Sequence, residues 1–253
     1  MSCLRLVNKV AVVTGSTAGI GFSIAQRLAA EGAKVVISSR KEENVESAIN
    51  KCKSEGYDVS GLVCNVSKSE DRDALLDHVS KRYGKLDILV SNVGTNPHIG
   101  PINMCDESQW SKIFHNNVTC SALLAAKFTP FLVKSGNGNI VFVSSIAGFR
   151  PLDFIMPYSV SKAALISLTK GLSVELASSN IRVNCIAPGL IDTEFSAAFT
   201  SNEQAVKQIV KSIPLRRIGT AGECAGTVAF LVSDDASYIT GETISMNGGT
   251  HTR

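Results

Sequence analysis

The chain has 253 residues, of which 44% are hydrophobic and 19% charged, and its formal net charge is +3. These values are typical of a globular protein with a sizeable core. A charge this small predicts neither a nucleic-acid partner nor a membrane-surface partner. The apolar stretches are too short for a membrane span.

The seven cysteines are scattered singly, without a C-x-x-C pair. This distribution predicts neither a zinc site nor any other metal site, and it predicts no disulfide framework. It favours a reducing intracellular compartment. No long apolar segment lies near the N-terminus, so we expect an unsecreted protein. The cytoplasm is the preferred location, with mitochondria and peroxisomes left open.

The first elements in the chain form a β-α-β pattern. A β-branched run at residues 9–14 predicts a strand, and a glycine-rich turn follows it. Ile24, Leu28 and Ala29 are spaced for one buried helix face, and Gly32 ends that helix. The wholly apolar residues 35–37 predict a strand buried on both faces.

The same alternation continues to the end of the chain. Strands are predicted near residues 59–64, 86–90, 139–144, 181–186 and 242–246. Helices are predicted near residues 42–55, 69–83, 108–133, 202–211 and 221–232, and from the loop containing Pro157 through residue 176. The pattern predicts an α/β fold: one Rossmann-like domain over residues 1–253. Its doubly wound, mostly parallel, seven-stranded sheet would have helices on both faces.

Three glycines mark the turn after the first strand, in the pattern Gly15-x-x-x-Gly19-x-Gly21. Thr17 and Ile20 belong to the same turn. Missing side chains would let the backbone approach a dinucleotide phosphate, and the helix N-terminus would supply N–H groups. The alternative is a turn whose glycines serve only strand–helix packing.

The second strand ends in Ser39, Arg40 and Lys41, with no carboxylate at the position where NAD-binding units carry one. A guanidinium and an ammonium suit a 2′-phosphate, which favours NADP(H) over NAD(H). Alternatively, the two cations merely solubilise the start of the next helix.

Two asparagines follow the next strands. Asn65 could bond an adenine edge or cap the following helix. Asn92, beside Gly94, could reach the cofactor ribose or tie neighbouring strands together. In the loop that follows, His98 is either a substrate contact or solvent-facing, and Met156 is a candidate pocket wall.

The chemistry is expected between Ser145 and Lys162. Tyr158 and Lys162 are four residues apart, which places them on one face of a helix. A nearby ammonium would lower the pKa of the phenol, and a serine hydroxyl beside it would help it donate a proton to a carbonyl oxygen. The alternative is an amphipathic helix with a solvent-reaching lysine.

Taken together, these motifs resemble the short-chain dehydrogenase/reductase family. The resemblance rests on T-G-x-x-x-G-x-G at residues 14–21, S-N-V-G at 91–94, Asn117, Ser145, Tyr158-x-x-x-Lys162 and Pro188-Gly189. It spans the whole chain. Ser91, Val93 and Asn65 depart from the usual family pattern, and the last of these leaves cofactor affinity open.

The resemblance implies a catalytic tetrad. Tyr158 would be the general acid in reduction, and Lys162 would tune it and bond the nicotinamide ribose. Ser145 would polarise the substrate carbonyl, and Asn117 would hold a water that relays protons to Lys162.

It also implies that the segment after Pro188 and Gly189 anchors the carboxamide through the Ile191 backbone and the Thr193 hydroxyl. Residues 191–213 would form a lid over the substrate. A homotetramer is expected, although the apolar helices around Leu123 and Leu165 suit either a core or an interface.

The function these features imply is NADPH-dependent reduction of ketones and aldehydes. The expected small-molecule substrates are aromatic ketones, α-dicarbonyls, retinal or ketosteroids. One alternative is an alcohol, retinol or hydroxysteroid dehydrogenase that runs oxidatively with NADP or NAD. Another is a cofactor-binding protein without turnover, although the intact tetrad argues against it.

Overall fold

The fold is built around one parallel sheet. The computed structural model describes residues 4–197 and 203–250. The seven strands found there are β1 Val10–Thr14, β2 Lys34–Ser39, β3 Val59–Val63, β4 Ile88–Ser91, β5 Gly138–Val143, β6 Ile181–Pro188 and β7 Thr243–Met246. Their order is β3-β2-β1-β4-β5-β6-β7, and every pair is parallel. The predicted α/β class and strand count are confirmed.

The strand order reverses its direction of growth between β1 and β4. β1 pairs with β2 on one side and with β4 on the other, so the connections leave toward opposite edges of the sheet. A crevice opens at such a switch point, beyond the carboxyl ends of the strands. The motifs that follow β1, β4 and β5 in the sequence all reach this edge.

Helices cover both faces. Their bounds are α1 Gly19–Ala30, α2 Glu42–Ser54, α3 Ser69–Tyr83, α4 Glu107–Phe114, α5 Cys120–Ser135, α6 Met156–Leu176, α7 Glu203–Ser212 and α8 Ala221–Val232. Side chains of β1 alternate between two cores. Ala11 and Val13 pack with α1, α2 and α8, whereas Val10 and Val12 pack with α3, α5 and α6.

Two details differ from the predictions. The helical region predicted over residues 108–133 is interrupted by a π-helical segment, His115–Thr119, which separates α4 from α5. Pro157 lies in the first turn of α6 rather than in the preceding loop. Proline is compatible with that position because the first N–H groups of a helix have no intrahelical partner.

Six cysteines lie in the described ranges and all six are unpaired; Cys3 falls outside those ranges. Among the described helices, none is both long and apolar enough to cross a membrane.

Candidate active site

The glycine turn after β1 has the backbone that its sequence predicts. Gly15 and Gly19 have φ values of +59° and +53°, in the left-handed region where glycine is favoured. A Cβ on Gly21 would lie 2.2 Å from the Gly15 carbonyl oxygen and 2.4 Å from Asn92 Nδ2. Hence Gly21 is needed for close packing of the turn itself. Thr17 and Ile20 are half-buried beside it.

The N-terminus of α1 has neither a side-chain cap nor an acidic residue in its first turn. Its N-cap is Ala18, which has no side chain to bond the first N–H groups, and the first turn contains no acidic residue. The unpaired N–H groups and the positive end of the helix dipole favour an anion at this point. The turn is therefore suited to a phosphate.

Asn92 fastens this turn to β4. Its Nδ2 donates to the carbonyl oxygens of Thr14 (3.1 Å) and Gly15 (3.0 Å), and its backbone N–H donates to Thr14 Oγ1 (3.2 Å). Of the two predicted roles for Asn92, the structure bears out the tie between neighbouring strands.

The end of β2 presents cations to solvent. Arg40 and Lys41 are both exposed, and Lys41 forms an exposed ion pair with Glu43 at 3.8 Å. Ser39 is half-buried and pairs in register with Val63 of β3. No ion pair of Arg40 occurs among the described residues, so its guanidinium is available for a phosphate.

Asn65 shapes the turn that follows β3. Its Oδ1 accepts hydrogen bonds from Ser67 N (3.2 Å) and Ser67 Oγ (2.7 Å). The N-cap of α3 is Lys68, which makes no side-chain cap. The prediction that Asn65 caps the helix is therefore wrong, because its side-chain oxygen instead accepts hydrogen bonds from Ser67, which precedes the helix.

Tyr158 and Lys162 lie on α6, as their spacing predicts. The Tyr158 hydroxyl is hydrogen-bonded to Ser145, whose Oγ also accepts from Ala147 N at 3.2 Å. Lys162 Nζ lies 5.5 Å from the centre of the Tyr158 ring and donates to the Val143 carbonyl oxygen at 2.8 Å. The phenol, one hydroxyl and the ammonium thus meet at the end of β5.

The predicted lowering of the Tyr158 pKa is wrong for this structure. Burial raises the pKa of the phenol to about 12, and the bond to Ser145 lowers it only in part. Burial also lowers the pKa of Lys162 to about 8, partly offset by Cys185. The cause is common to both groups: each is almost fully enclosed, and desolvation favours its neutral form.

Asn117 lies in the π-helical segment and is completely buried. Its Oδ1 accepts from Thr95 N at 2.8 Å, and its Nδ2 donates to Thr95 O at 3.1 Å and to Ser161 Oγ at 2.9 Å. Gly94 lies next to this group, and a Cβ there would be 3.3 Å from Lys162 Nζ. The predicted tetrad therefore occupies one region of the structure.

The segment after β6 packs against the glycine turn at one end of the site. Pro188 ends β6, and Gly189 donates its N–H to Met246 O at 2.8 Å. Ile191 is buried, and Thr193 approaches α1 so closely that a Cβ on Gly19 would lie 3.3 Å from Thr193 Cγ2. Residues 198–202 of the predicted lid lie outside the described residues.

His98 is buried, at 5% exposure, so the expectation that it faces solvent is wrong. Its Nε2 is 3.0 Å from Gly100 O, while Gly100 N donates to Phe154 O at 2.8 Å. The first bond lies within the loop after β4, and the second connects that loop to the loop before α6. Met156, at the start of α6, is 37% exposed.

Three groups near the site could not be singled out from the sequence. Phe195 places its ring 6.1 Å from that of Tyr158. Ser161 and Thr95 bind the Asn117 side chain. Ser161 lies within the Tyr158–Lys162 motif, which is the one signal available. Phe195 and Thr95 carry none, because the fold alone brings their loops here.

A buried tyrosine and lysine beside a phosphate-type glycine turn define an oxidoreductase site of the nicotinamide-dependent class. A family model described as enoyl-(acyl carrier protein) reductase matches residues 15–251. The chain belongs to the short-chain dehydrogenase/reductase family and is an oxidoreductase that uses a nicotinamide cofactor.

Individual relatives agree with this class. The chain is 50% identical over 248 residues to dehydrogenase/reductase SDR family member 4 of Oryctolagus cuniculus, covering 98% of this chain and 95% of that protein. It is 47% identical over 243 residues to the Homo sapiens protein named dehydrogenase/reductase SDR family member 2, mitochondrial, covering 96% and 86%. A crystal structure of an actinorhodin polyketide ketoreductase variant with NADPH superposes with a TM-score of 0.93 at 30% identity, covering 97% and 98%.

Proposed function

We propose that this enzyme reduces small ketones and aldehydes with NADPH, with Tyr158 as the proton donor. Aromatic ketones, α-dicarbonyls, retinal and ketosteroids are the candidate substrates. The observation that carries the proposal is the buried hydrogen bond between Tyr158 and Ser145 at the end of β5, with Lys162 Nζ 5.5 Å from the phenol ring.

The residues present fit NADP(H). The uncapped start of α1 supplies N–H groups for the pyrophosphate around Gly15, Gly19 and Gly21. β2 ends in Ser38 and Ser39 rather than in a carboxylate of the type that binds a ribose 2′-hydroxyl, and the exposed Arg40 that follows would supply a bidentate donor for the 2′-phosphate. The ketoreductase relative solved with NADPH supports the same choice.

Further contacts to the cofactor are assigned by position. Ser39 and Lys41 flank Arg40 and would add to the 2′-phosphate site, while Asn65 would contact the adenine. At the nicotinamide end, the Ile191 backbone and the Thr193 hydroxyl would hold the carboxamide, because the loop after Pro188 approaches the start of α1.

When bound, the cofactor supplies the hydride. The chain's part is to orient the carbonyl and provide the proton. The hydroxyl groups of Ser145 and Tyr158 would both donate to the carbonyl oxygen, and the Tyr158 proton would transfer to it as negative charge develops. With a pKa of about 12, the Tyr158 phenol holds its proton at neutral pH and is ready to give it. Lys162, still charged below a pKa of about 8, would stabilise the phenolate that results.

The tyrosine assignment is tested by Tyr158→Phe. It removes the hydroxyl that meets Ser145 and preserves the ring that contacts Phe195. We expect kcat to fall by about 10²–10⁴-fold, the usual contribution of a positioned acid. NADPH binding, followed by quenching of protein fluorescence, should persist. Full activity in this variant would refute the proposed mechanism.

The cofactor assignment is tested by oxidation of NADPH against NADH over a panel of aromatic ketones, α-dicarbonyls and retinal. Arg40→Glu should raise KM for NADPH by about 10²-fold, because a charged bidentate contact is replaced by repulsion, and should alter KM for NADH little. Lys53→Glu makes the same charge change on the exposed surface of α2 and serves as the control. Equal losses for both cofactors would contradict the 2′-phosphate assignment.

The raised pKa of Tyr158 also bears on reaction direction. Oxidation needs the phenolate as base, and burial makes that form scarce at neutral pH. Reduction is therefore the proposed direction, and the oxidative dehydrogenase remains the second candidate. It would be supported by alcohol oxidation that rises steeply with pH and exceeds carbonyl reduction at pH 7.

We also propose a homotetramer. Leu165 is core, but Leu123, Val160 and Val174 on α5 and α6 are 40%, 39% and 81% exposed. Such side chains suit an interface between copies of the chain. Light scattering coupled to size-exclusion chromatography gives the mass directly, and Val174→Lys should lower it if α6 lies in the interface.

A further inference from the structure

The turn that carries Asn117 has unusual backbone geometry. In the segment His115–Thr119, hydrogen bonds span five residues, as shown by Cys120 N donating to His115 O. The π-helix is rare, appears mostly as a single turn inside an α-helix, and occurs frequently at functional sites. Side chains that bind the backbone of this turn can therefore influence the position of Asn117.

A chain of buried hydroxyls reaches this turn from the sheet. Ser91 Oγ, at the end of β4, donates to Ser121 Oγ at 3.0 Å. Ser121 Oγ in turn donates to the Asn117 carbonyl oxygen at 2.9 Å. Both serines are 2% exposed, so neither hydroxyl has ready access to solvent.

The donor and acceptor of each of these two hydrogen bonds follow from the groups involved. The Asn117 carbonyl can only accept, so Ser121 must give it the single proton of its hydroxyl. Ser121 Oγ then remains as an acceptor for Ser91. Aligned hydrogen bonds of this kind strengthen one another in a buried environment.

Asn117 is therefore held at both ends. Its side chain is bound by Thr95 and by Ser161, whose Oγ also donates to the Tyr158 carbonyl at 2.7 Å. Its main-chain carbonyl is bound by Ser121. The side-chain bonds come from the loop after β4 and from α6, and the carbonyl bond comes from Ser121 on α5, which is bound in turn by Ser91 of β4.

We propose that Ser121, supported by Ser91, is a positioning residue for the reduction: it fixes the π-helical turn so that Asn117 can hold the water that relays protons to Lys162. This inference rests on the proposed function. Ser121 acts through Asn117 and touches neither substrate nor cofactor. Loss of its hydroxyl would slow proton delivery and leave cofactor binding intact.

The test is Ser121→Ala. Alanine is a good helix former, so α5 should remain folded. Losing one buried hydrogen bond of about 1–2 kcal/mol corresponds to a fall in kcat of roughly five- to thirtyfold. We expect the NADPH dissociation constant to stay within about twofold. The matched control is Ser135→Ala, which removes a hydroxyl from the far end of α5 that donates to Leu132 O at 2.9 Å; kcat should not change.

Two readouts separate positioning from simple stabilisation. The solvent deuterium isotope effect on kcat should increase in Ser121→Ala, and the effect of deuterium on the transferred hydride should decrease, because proton delivery becomes slower relative to hydride transfer. Ser91→Ala should cost less than Ser121→Ala. The double variant should cost no more than Ser121→Ala alone, since Ser91 acts through Ser121.

A wild-type kcat in Ser121→Ala would overturn the inference. So would a loss with unchanged isotope effects, or additive losses in the double variant. Tyr158→Phe, measured in parallel, separates failure of the proposed function from failure of the positioning role of Ser121. If Tyr158→Phe remains active, the proposed function fails. If Tyr158→Phe is inactive and Ser121→Ala is normal, only the positioning role fails.

Discussion

Lys162→Met should produce an enzyme that is less active and more stable. Lys162 is 3% exposed, and burial lowers the pKa of its ammonium from 10.5 to about 8. The protein therefore carries a buried positive charge at neutral pH, without a carboxylate among the hydrogen-bond and ion-pair partners that the described residues provide. Methionine has nearly the same shape and removes the charge.

The size of the effect follows from that pKa. A shift from 10.5 to about 8 corresponds to about 3 kcal/mol of differential stabilisation. Lys162 Nζ also donates a hydrogen bond to Val143 O at 2.8 Å, and losing it costs about 1 kcal/mol. The net expectation is about 2 kcal/mol of added stability, equivalent to a rise in Tm of about 4–8 °C for a domain of this size.

The added stability of Lys162→Met should decrease as the pH rises. Below about pH 8 the lysine is protonated in both the folded and the unfolded chain, so the full penalty is present. Between about pH 8 and 10.5 the unfolded chain still binds the proton and the folded chain does not, so the wild type gains stability as the pH rises. The advantage of Lys162→Met should shrink through this window and, once the penalty of about 3 kcal/mol is gone, reverse to a deficit of about 1 kcal/mol from the lost hydrogen bond.

Urea unfolding of both proteins, followed by circular dichroism at pH 7, 9 and 10.5, measures the difference directly. The carbonyl reductase assay on the same samples should show kcat reduced by at least about 10²-fold. A destabilised Lys162→Met at pH 7, or a difference that does not change with pH, would refute the account of Lys162 as a destabilising buried charge.

Three further predictions follow from the site. Gly21→Ala should abolish cofactor binding and cost several kcal/mol of stability, because its Cβ would lie 2.2 Å from Gly15 O. The control, Gly171→Ala, has nothing within 4 Å of the new Cβ and should instead add about 0.5–1 kcal/mol of stability. Normal stability and cofactor binding in Gly21→Ala would contradict the close packing of the glycine turn. Phe195→Ala should raise KM for aromatic ketones about three- to tenfold with little change for NADPH, because its ring faces Tyr158 at 6.1 Å; equal effects on both would indicate a general disturbance of the loop. In steady-state assays, kcat/KM for NADPH should fall above about pH 8 as Lys162 loses its proton, and a flat profile to pH 10 would exclude that group.

Much of the fold could be read from periodicity and glycine placement. Wholly apolar runs such as residues 35–37 mark strands buried on both faces, and the glycine turn after β1 marks the first crossover. The bounds of α3 and α8 agree with the sequence pattern to the residue, because polar or turn-forming residues flank both helices.

The remainder depended on tertiary contacts. A π-helical turn has no sequence signal separate from that of an α-helix, so the break at His115–Thr119 could not be foreseen. The pKa of Tyr158 differs in direction from its prediction because spacing along a helix indicates the nearby ammonium but not the enclosure of both groups. For Asn92, an amide suits both a cofactor ribose and the backbone of a neighbouring strand. Its observed bonds go to Thr14 O and Gly15 O because the end of β1 lies beside it, which the sequence does not indicate.

The hydrogen bonds at Gly100 have a consequence for how substrate range can change in this enzyme. Gly100 N donates to Phe154 O, which joins the loop after β4 to the loop before α6, whereas the contact of 3.0 Å between Gly100 O and His98 Nε2 lies within the first loop. If either loop is exchanged alone and its backbone takes another path, the hydrogen bond between Gly100 N and Phe154 O is lost. New specificities should therefore be easier to obtain by exchanging both loops together, and divergence in one should accompany divergence in the other.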